Sequence, residues 1–277
     1  MPIEYSDSFR KAIETYYRKI YKGLALNDFD KRAKARLKED EVEAERCDWL
    51  ENALLLRMKD FKAHLVVGAG TGGLMVALRD RGARDLFACE PCPEALQIAR
   101  EKAHLAGIEV ANVTDDVVEH LPYCDCSMDF IHCFTVLEHV QDVRKAIKEM
   151  YRVLRPGGLI YIHTPDYRFP YEGHYKTFVP VFLGKRFSIA YLKMKGKPVD
   201  FMKGVNFVTE KSLDRLLRRE VDLYFRIYMK MPDEWSFERQ SNIKDRLLRG
   251  FHRLFYLRFS IPPNQMVVIR KTGKVSK

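Results

Sequence analysis

No stretch of the chain approaches the roughly 18 consecutive apolar residues that a membrane-spanning helix needs. The opening residues, Met1-Pro-Ile-Glu-Tyr-Ser-Asp-Ser8, lack the basic segment followed by an apolar one that marks a secretory leader. The cytoplasm is the expected location, with peripheral contact at the inner membrane surface as an extension of it. Cysteine is sparse for a disulfide scaffold: six in 277 residues, without a leader, read as reduced thiols. No internal repeat and no low-complexity tract is present. Acidic residues are thin towards the C-terminus. Residues 167–277 hold 24 Lys+Arg against 10 Asp+Glu (net +14), whereas 63–166 carry net −5 and 1–62 net +1. Such asymmetry suggests an anionic partner for the last third: a membrane surface, a phosphorylated substrate or nucleic acid.

The hydrophobic fraction of 47% and charged fraction of 31% are those of a soluble globular protein. Its most informative segment is His64-Leu-Val-Val-Gly-Ala-Gly-Thr-Gly-Gly73. Leu65–Val67 read as a buried parallel strand, and the glycines turn the chain into a helix over Leu74–Arg81. A second apolar run, Asp85–Cys89, ends on Glu90. A glycine turn lets backbone approach a ligand at a strand's carboxyl end, and an acidic side chain after the next strand can take two ribose hydroxyls. The pair indicates a nucleoside-containing cofactor. The glycines alone fit both GxGxxG of dinucleotide enzymes and GxGxG of S-adenosylmethionine (SAM) enzymes.

The rest of the series decides between them. Asp115-Asp116 close a strand-like run (Ile108–Thr114), and Ser127-Met-Asp-Phe-Ile-His-Cys-Phe-Thr-Val-Leu-Glu-His-Val140 follows. After a helix come Tyr151-Arg-Val-Leu-Arg-Pro-Gly-Gly158 and a strand over Leu159–His163. Over about residues 63–166 this order resembles the class I SAM-dependent methyltransferases, in particular the methyltransferase type 11 subgroup with its quinone-biosynthesis enzymes. The resemblance implies an α/β fold, a doubly wound, Rossmann-like seven-stranded sheet. It also implies SAM as cofactor and S-adenosylhomocysteine as product. Gly68, Ala69, Gly70 and Gly72 then pass close to the cofactor, Glu90 with Pro91 takes the ribose, Asp115 or Asp116 the adenine amino group with Val117 beside the ring, and Thr135 and Val136 face the sulfonium side. One departure stands out: Val66 occupies the place where the family commonly has an acidic residue for the cofactor's amino group.

A hydroxyl acceptor usually needs its proton removed, and histidine is the natural base near neutrality. Three histidines fall near the expected acceptor position: His139 in Leu-Glu-His-Val, His163 at the end of the fifth strand, and His174 in Tyr171-Glu-Gly-His-Tyr175, where Glu172 can orient it. His163 is better explained as a core residue; His139, His174 and Glu172 are the expected catalytic groups. No metal site is expected. Glu172 and His174 show no third ligand in sequence, and Cys89/Cys92 belong at the opposite end of the sheet from Cys124/Cys126.

Around the cofactor-binding core the chain divides into an N-terminal helical cover (1–62) and the methyltransferase domain (63–277). The latter carries two insertions. An aromatic substrate cap (166–208) contains Tyr167, Phe169, Tyr171, Tyr175, Phe178, Phe182, Phe187 and Tyr191, some expected to line an apolar or sugar-stacking pocket and others to pack the cap's own core. A basic helical insertion (231–264) separates the sixth strand (Glu220–Lys230) from the seventh (Gln265–Lys271). Within it Arg246, Arg249 and Arg253 flank an apolar stripe; either the stripe packs on the sheet and leaves the arginines solvated, or they contact an anionic membrane. The function implied is O-methylation of a small-molecule, glycan or lipid-like acceptor. RNA methylation is the rival among enzymes, against which stands the lack of an Asp/Asn-Pro-Pro-Phe/Tyr motif; a non-catalytic SAM-binding scaffold is the rival outside them.

Overall fold

The apolar runs separated by turn residues are the strands of a single sheet. A computed structural model of the chain describes residues 3–227 and 263–273. In it β1 (Ala63–Val67), β2 (Asp85–Cys89), β3 (Val113–Thr114), β4 (Met128–Phe134) and β5 (Leu154–Pro165) run parallel. A short hairpin, β6 (Tyr171–Glu172) with β7 (Thr177–Phe178), stands apart. β8 (Leu223–Arg226) and β9 (Asn264–Arg270) complete the sheet antiparallel, in the order β3-β2-β1-β4-β5-β9-β8. Every residue of β1 is buried, as expected for a central parallel strand with helices on both faces.

One face is covered by α3 (Glu39–Leu54), α4 (Gly73–Asp80) and α5 (Pro93–Leu105), which bury Cys47, Leu50, Met75, Leu78 and Ala99 against Val66, Ala88 and Phe130. The other is covered by α6 (Val143–Val153) and α9 (Glu210–Glu220) through Ile147, Met150, Leu213 and Leu217. Strand order reverses between β1 and β4, which opens a crevice beyond their carboxyl ends.

The N-terminal segment is helical as expected. The Ser6 hydroxyl caps α1 (Asp7–Gly23) by accepting from the Phe9 N–H, and α2 (Phe29–Ala35) follows. Phe9, Ile13, Tyr17 and Tyr21 of α1 share a third core with Tyr167, Tyr175, Val181 and Leu192 of the cap, to which α7 (Lys185–Met194) and α8 (Asp200–Gly204) also belong. Cover and cap therefore pack on one another above the sheet's carboxyl edge.

The third strand differs from expectation. Of Ile108–Thr114 only Val113 and Thr114 pair with β2. Val110–Asn112 form a 3₁₀ turn instead, because the Glu109 carboxylate accepts from the Ala111 N–H and bends the chain before it reaches the sheet. The basic helix expected at 242–259 lies outside the described residues, as does most of the 231–264 insertion. No helix among the described residues is long and apolar enough to cross a membrane.

Candidate active site

The residues singled out from the glycine segment gather at the carboxyl edge of the sheet. Gly68, Gly70 and Gly72 have φ of +63°, +56° and +89°, a left-handed region that L side chains rarely adopt. At Gly68 a Cβ would stand 2.5 Å from Val136 Cγ2, so only glycine lets the β1 turn meet the loop after β4. At Gly70 a Cβ would meet nothing within 4 Å; the backbone there borders open space. Glu90, just past β2, closes this space from the side. Its Oε2 accepts from the Gly70 N–H at 2.7 Å and its Oε1 from the Cys92 N–H at 2.9 Å. Burial raises the Glu90 pKa, while these two backbone bonds oppose the rise. A carboxylate offers about four lone-pair sites, so each Glu90 oxygen keeps capacity for one further donor. That is the acceptor set two vicinal hydroxyls require.

Around this opening lie Asp116, half-buried after β3, with Asp115 and Val117 exposed on either side. Ala69 is buried and Pro91 exposed. Thr135 takes φ +54° at the end of β4, its N–H bound to the His163 carbonyl at 2.7 Å. Val66 is buried in the core, and no carboxylate replaces it at that position. The roof comes from the N-terminal helices. Glu39 packs over Gly73, and its carboxylate accepts hydrogen bonds from Thr71, Tyr17 and Lys102. An open glycine backbone, a two-acceptor carboxylate and a further half-buried carboxylate fit a nucleoside cofactor at this edge.

A short way along the same edge the chain brings His139, His174 and Glu172 together. The Glu172 carboxylate, buried and held by the backbone N–H groups of His174 and Tyr175 at 2.8 Å each, accepts from His174 Nδ1 at 2.7 Å. Burial alone would raise the Glu172 pKa; the hydrogen bonds it accepts from His174 and Tyr175 outweigh it and lower it. The rings of His139 and His174 meet edge to face at 5.2 Å between centroids, and Phe201 of α8 packs on both. Desolvation where its ring packs against the cluster lowers His139 to about 4, although the other side of the ring reaches solvent. Asn206, at the end of the cap, fixes this loop by donating to the carbonyls of Glu138 at 2.7 Å and Val140 at 2.5 Å.

His163 belongs elsewhere. It is buried, stacked on Phe134 at 4.1 Å, with neither ring nitrogen hydrogen-bonded among the described residues, and burial pushes it to about 3. It is a core residue, although an unsatisfied one. The cap aromatics divide between packing and surface. Tyr167, Phe169 and Tyr175 are buried core, whereas Phe182 and Phe187 are exposed by 63% and 51%. The ring beside the two histidines is Phe201, which lies beyond the dense aromatic run. Glu138 was also missed, being hidden between apolar neighbours in Leu-Glu-His-Val. Its one signal is that a carboxylate stands four residues past the end of β4, on the cofactor edge.

Comparison with known proteins gives the family of the domain that carries this edge. A family profile described as a methyltransferase domain matches residues 65–162. The chain carries a class I SAM-dependent methyltransferase domain. A sterol 4-C-methyltransferase of Caenorhabditis elegans is 32% identical over 118 residues, 41% of this chain and 35% of that protein. A ubiquinone biosynthesis O-methyltransferase of Klebsiella pneumoniae is 32% identical over 103 residues, 37% of this chain and 42% of the other. The match thus spans less than half the length of these relatives. Among solved structures, a SAM-dependent methyltransferase from Archaeoglobus fulgidus aligns with a TM-score of 0.52 at 13% identity, covering 82% of this chain and 94% of that one. At that identity the likeness concerns the fold. SAM is the cofactor of this methyltransferase class.

Proposed function

We propose that the chain methylates a hydroxyl oxygen on a small, largely apolar or lipid-like acceptor, with SAM as donor. The observation that carries this reading is the Glu172–His174 pair, set beside His139 and Phe201 at the edge where Glu90 and the glycine turn meet. SAM, when bound, supplies a methyl group already activated by its sulfonium, so the chain's own task is positioning and proton handling. Glu90 takes the two ribose hydroxyls through the capacity left on its oxygens, with Pro91 alongside. Gly68, Ala69, Gly70 and Gly72 give close backbone approach, and Asp116, with Asp115 and Val117, borders the base. Thr135 and Val136 face the reacting end. Glu172 fixes the His174 tautomer, so that Nε2 presents its lone pair to the acceptor's proton. Phe201 packs against both imidazoles and holds their rings in place. The experiment is a SAM-consumption assay over phenols, quinols, sterols and glycosides; methyl transfer to carbon or nitrogen acceptors alone would contradict the reading.

Replacing Glu90 by alanine removes the two-acceptor carboxylate. Affinity for S-adenosylhomocysteine should fall by about 1.5–3 kcal/mol, some 10- to 150-fold, the scale of hydrogen bonds to a charged group. Calorimetry with unchanged affinity would remove Glu90 from the site.

The reading also gives the cap a partner. Phe182, Leu183 and Phe187 are exposed beside Lys185 and Arg186, and residues 173–199 contain no acidic side chain. This face suits an anionic bilayer from which a lipid-like acceptor is drawn, each basic side chain contributing about 1 kcal/mol near such a surface. Co-sedimentation with vesicles should rise with anionic lipid, fall with salt, and drop in Phe182→Ser/Lys185→Glu. Equal binding to neutral vesicles would remove the role of the basic side chains, and no binding would leave the cap with no membrane role.

A further inference from the structure

Proton abstraction by His174 leaves one feature of the cluster without a purpose. Glu138 is wholly buried; its Oε2 accepts from the Thr164 hydroxyl at 3.0 Å, and its Oε1 has no hydrogen-bond partner among the described residues. A buried carboxylate oxygen with nothing to balance it is costly, and such groups are generally paired with a donor or a cation. Oε1 is aimed at the two histidines. It lies 4.0 Å from His139 Nε2, and one ligand atom each from Glu138, His139 and His174 falls within 4.8 Å of the other two. His174 already gives Nδ1 to Glu172, so its Nε2 lone pair is the one left over. A carboxylate behind an imidazole is the arrangement that orients histidine ligands and raises their basicity in metal sites.

We propose that Glu138, His139 and His174 hold a divalent cation of the zinc type, with Glu172 orienting His174 behind it. The proposal rests on reading this pocket as the acceptor site. Two imidazole nitrogens and one carboxylate oxygen select a borderline-soft ion over magnesium or calcium, which prefer all-oxygen ligands. Three protein ligands are the set of catalytic zinc sites, and they leave a fourth position open. Ligand atoms about 2.0–2.2 Å from a tetrahedral ion are about 3.3–3.5 Å apart, so the three groups must draw in by roughly an ångström. His139, on the exposed side of the cluster, has room to do so.

The open position suits the acceptor's oxygen. A hydroxyl bound there is acidified, as zinc acidifies water. Its O–H bond breaks with the proton passing to solvent water, and the electron pair stays on oxygen. That oxygen then forms its bond to the methyl carbon as the carbon–sulfur bond breaks, the pair returning to sulfur. In this form the His174 lone pair serves the ion, which takes over from His174 the task of removing the acceptor's proton, and Glu138 Oε1 gains the partner it lacks.

The test uses the full chain, stripped with a chelator and titrated with Zn²⁺ by calorimetry and with Co²⁺ by visible absorption. Affinity for S-adenosylhomocysteine is measured on the same samples. One ion per chain is expected, with the d–d bands of a nitrogen–oxygen cobalt site. His139→Ala/His174→Ala should abolish binding, and Glu172→Gln should weaken it by about 10- to 100-fold, with melting temperature checked to confirm folding. Absence of a bound ion in the wild type overturns the proposal. So does binding that survives the double histidine change, or cobalt bands of thiolate character, which would place the ion on Cys124 and Cys126. A chain that binds the ion but not S-adenosylhomocysteine would instead overturn the methyltransferase reading and leave the metal site standing.

Discussion

Changing His174 to alanine is expected to lower turnover on the true acceptor by about 10²–10⁴-fold, the span attributed to positioned acid–base groups, while S-adenosylhomocysteine affinity stays within about twofold. The reason for the split is spatial. His174 belongs to the cap side of the edge, beside His139 and Phe201, whereas Glu90 and the glycine turn form the other side. Glu172→Gln should reproduce part of the loss, because the amide neither stabilises a protonated His174 nor fixes its tautomer as a carboxylate does. His139→Ala should also lower turnover. Full activity in both His139→Ala and His174→Ala would mean that catalysis proceeds by positioning alone or at another place on the edge.

Lys102→Met is expected to destabilise the fold by about 3–5 kcal/mol, the cost of breaking a buried ion pair by removing one partner. For a chain of this size that lowers Tm by roughly 6–15 °C. Lys102 is 1% exposed, and its ammonium meets Glu39 at 3.2 Å and Asp40 at 2.7 Å. Burial disfavours the charge on both Glu39 and Lys102. The opposite charges and hydrogen bonds outweigh it, lowering the Glu39 pKa and raising that of Lys102. The sign for stability follows. Glu39's contribution is present above the ordinary carboxylate range and is lost as pH falls through its depressed folded value. Lys102's is present below the ordinary lysine value and is lost as pH rises through its elevated one. Because Glu39 also accepts from Thr71 and packs over Gly73, the variant should bind S-adenosylhomocysteine more weakly as well. Adding Glu39→Gln should recover part of the stability, since no unpaired charge then remains on that residue. A loss below about 1 kcal/mol in the single variant would show that α3 does not depend on this network.

The sheet was legible because its signals are local and repeated. Apolar runs bounded by turn residues predict β1, β2, β4 and β5, and the acidic residue after β2 places Glu90 beside the glycine turn. β3 shows the limit of that signal. Ile108–Val113 has a strand's composition, but a capping carboxylate at Glu109 wins over most of it. Composition does not show which charges of the Asp/Glu-rich α3 are buried. Glu39 and Glu43 are buried, because their partners Lys102 and Arg46 arrive from α5 and from the next turn of the same helix. A pairing across 63 residues leaves no periodic trace. The same holds for the acceptor side. The roles of His174 and Glu172 follow from their spacing, but the meeting of His174 with His139, Glu138 and Phe201 depends on how the cap folds back, and the aromatic content of the cap does not encode which rings point inward.

The central claim is that the glycine turn and Glu90 hold SAM. Titrating the wild-type chain with S-adenosylhomocysteine and, separately, with NAD tests it most directly by calorimetry. One S-adenosylhomocysteine per chain, with no heat from NAD beyond dilution, is the expected result. Binding of NAD without binding of S-adenosylhomocysteine would contradict it.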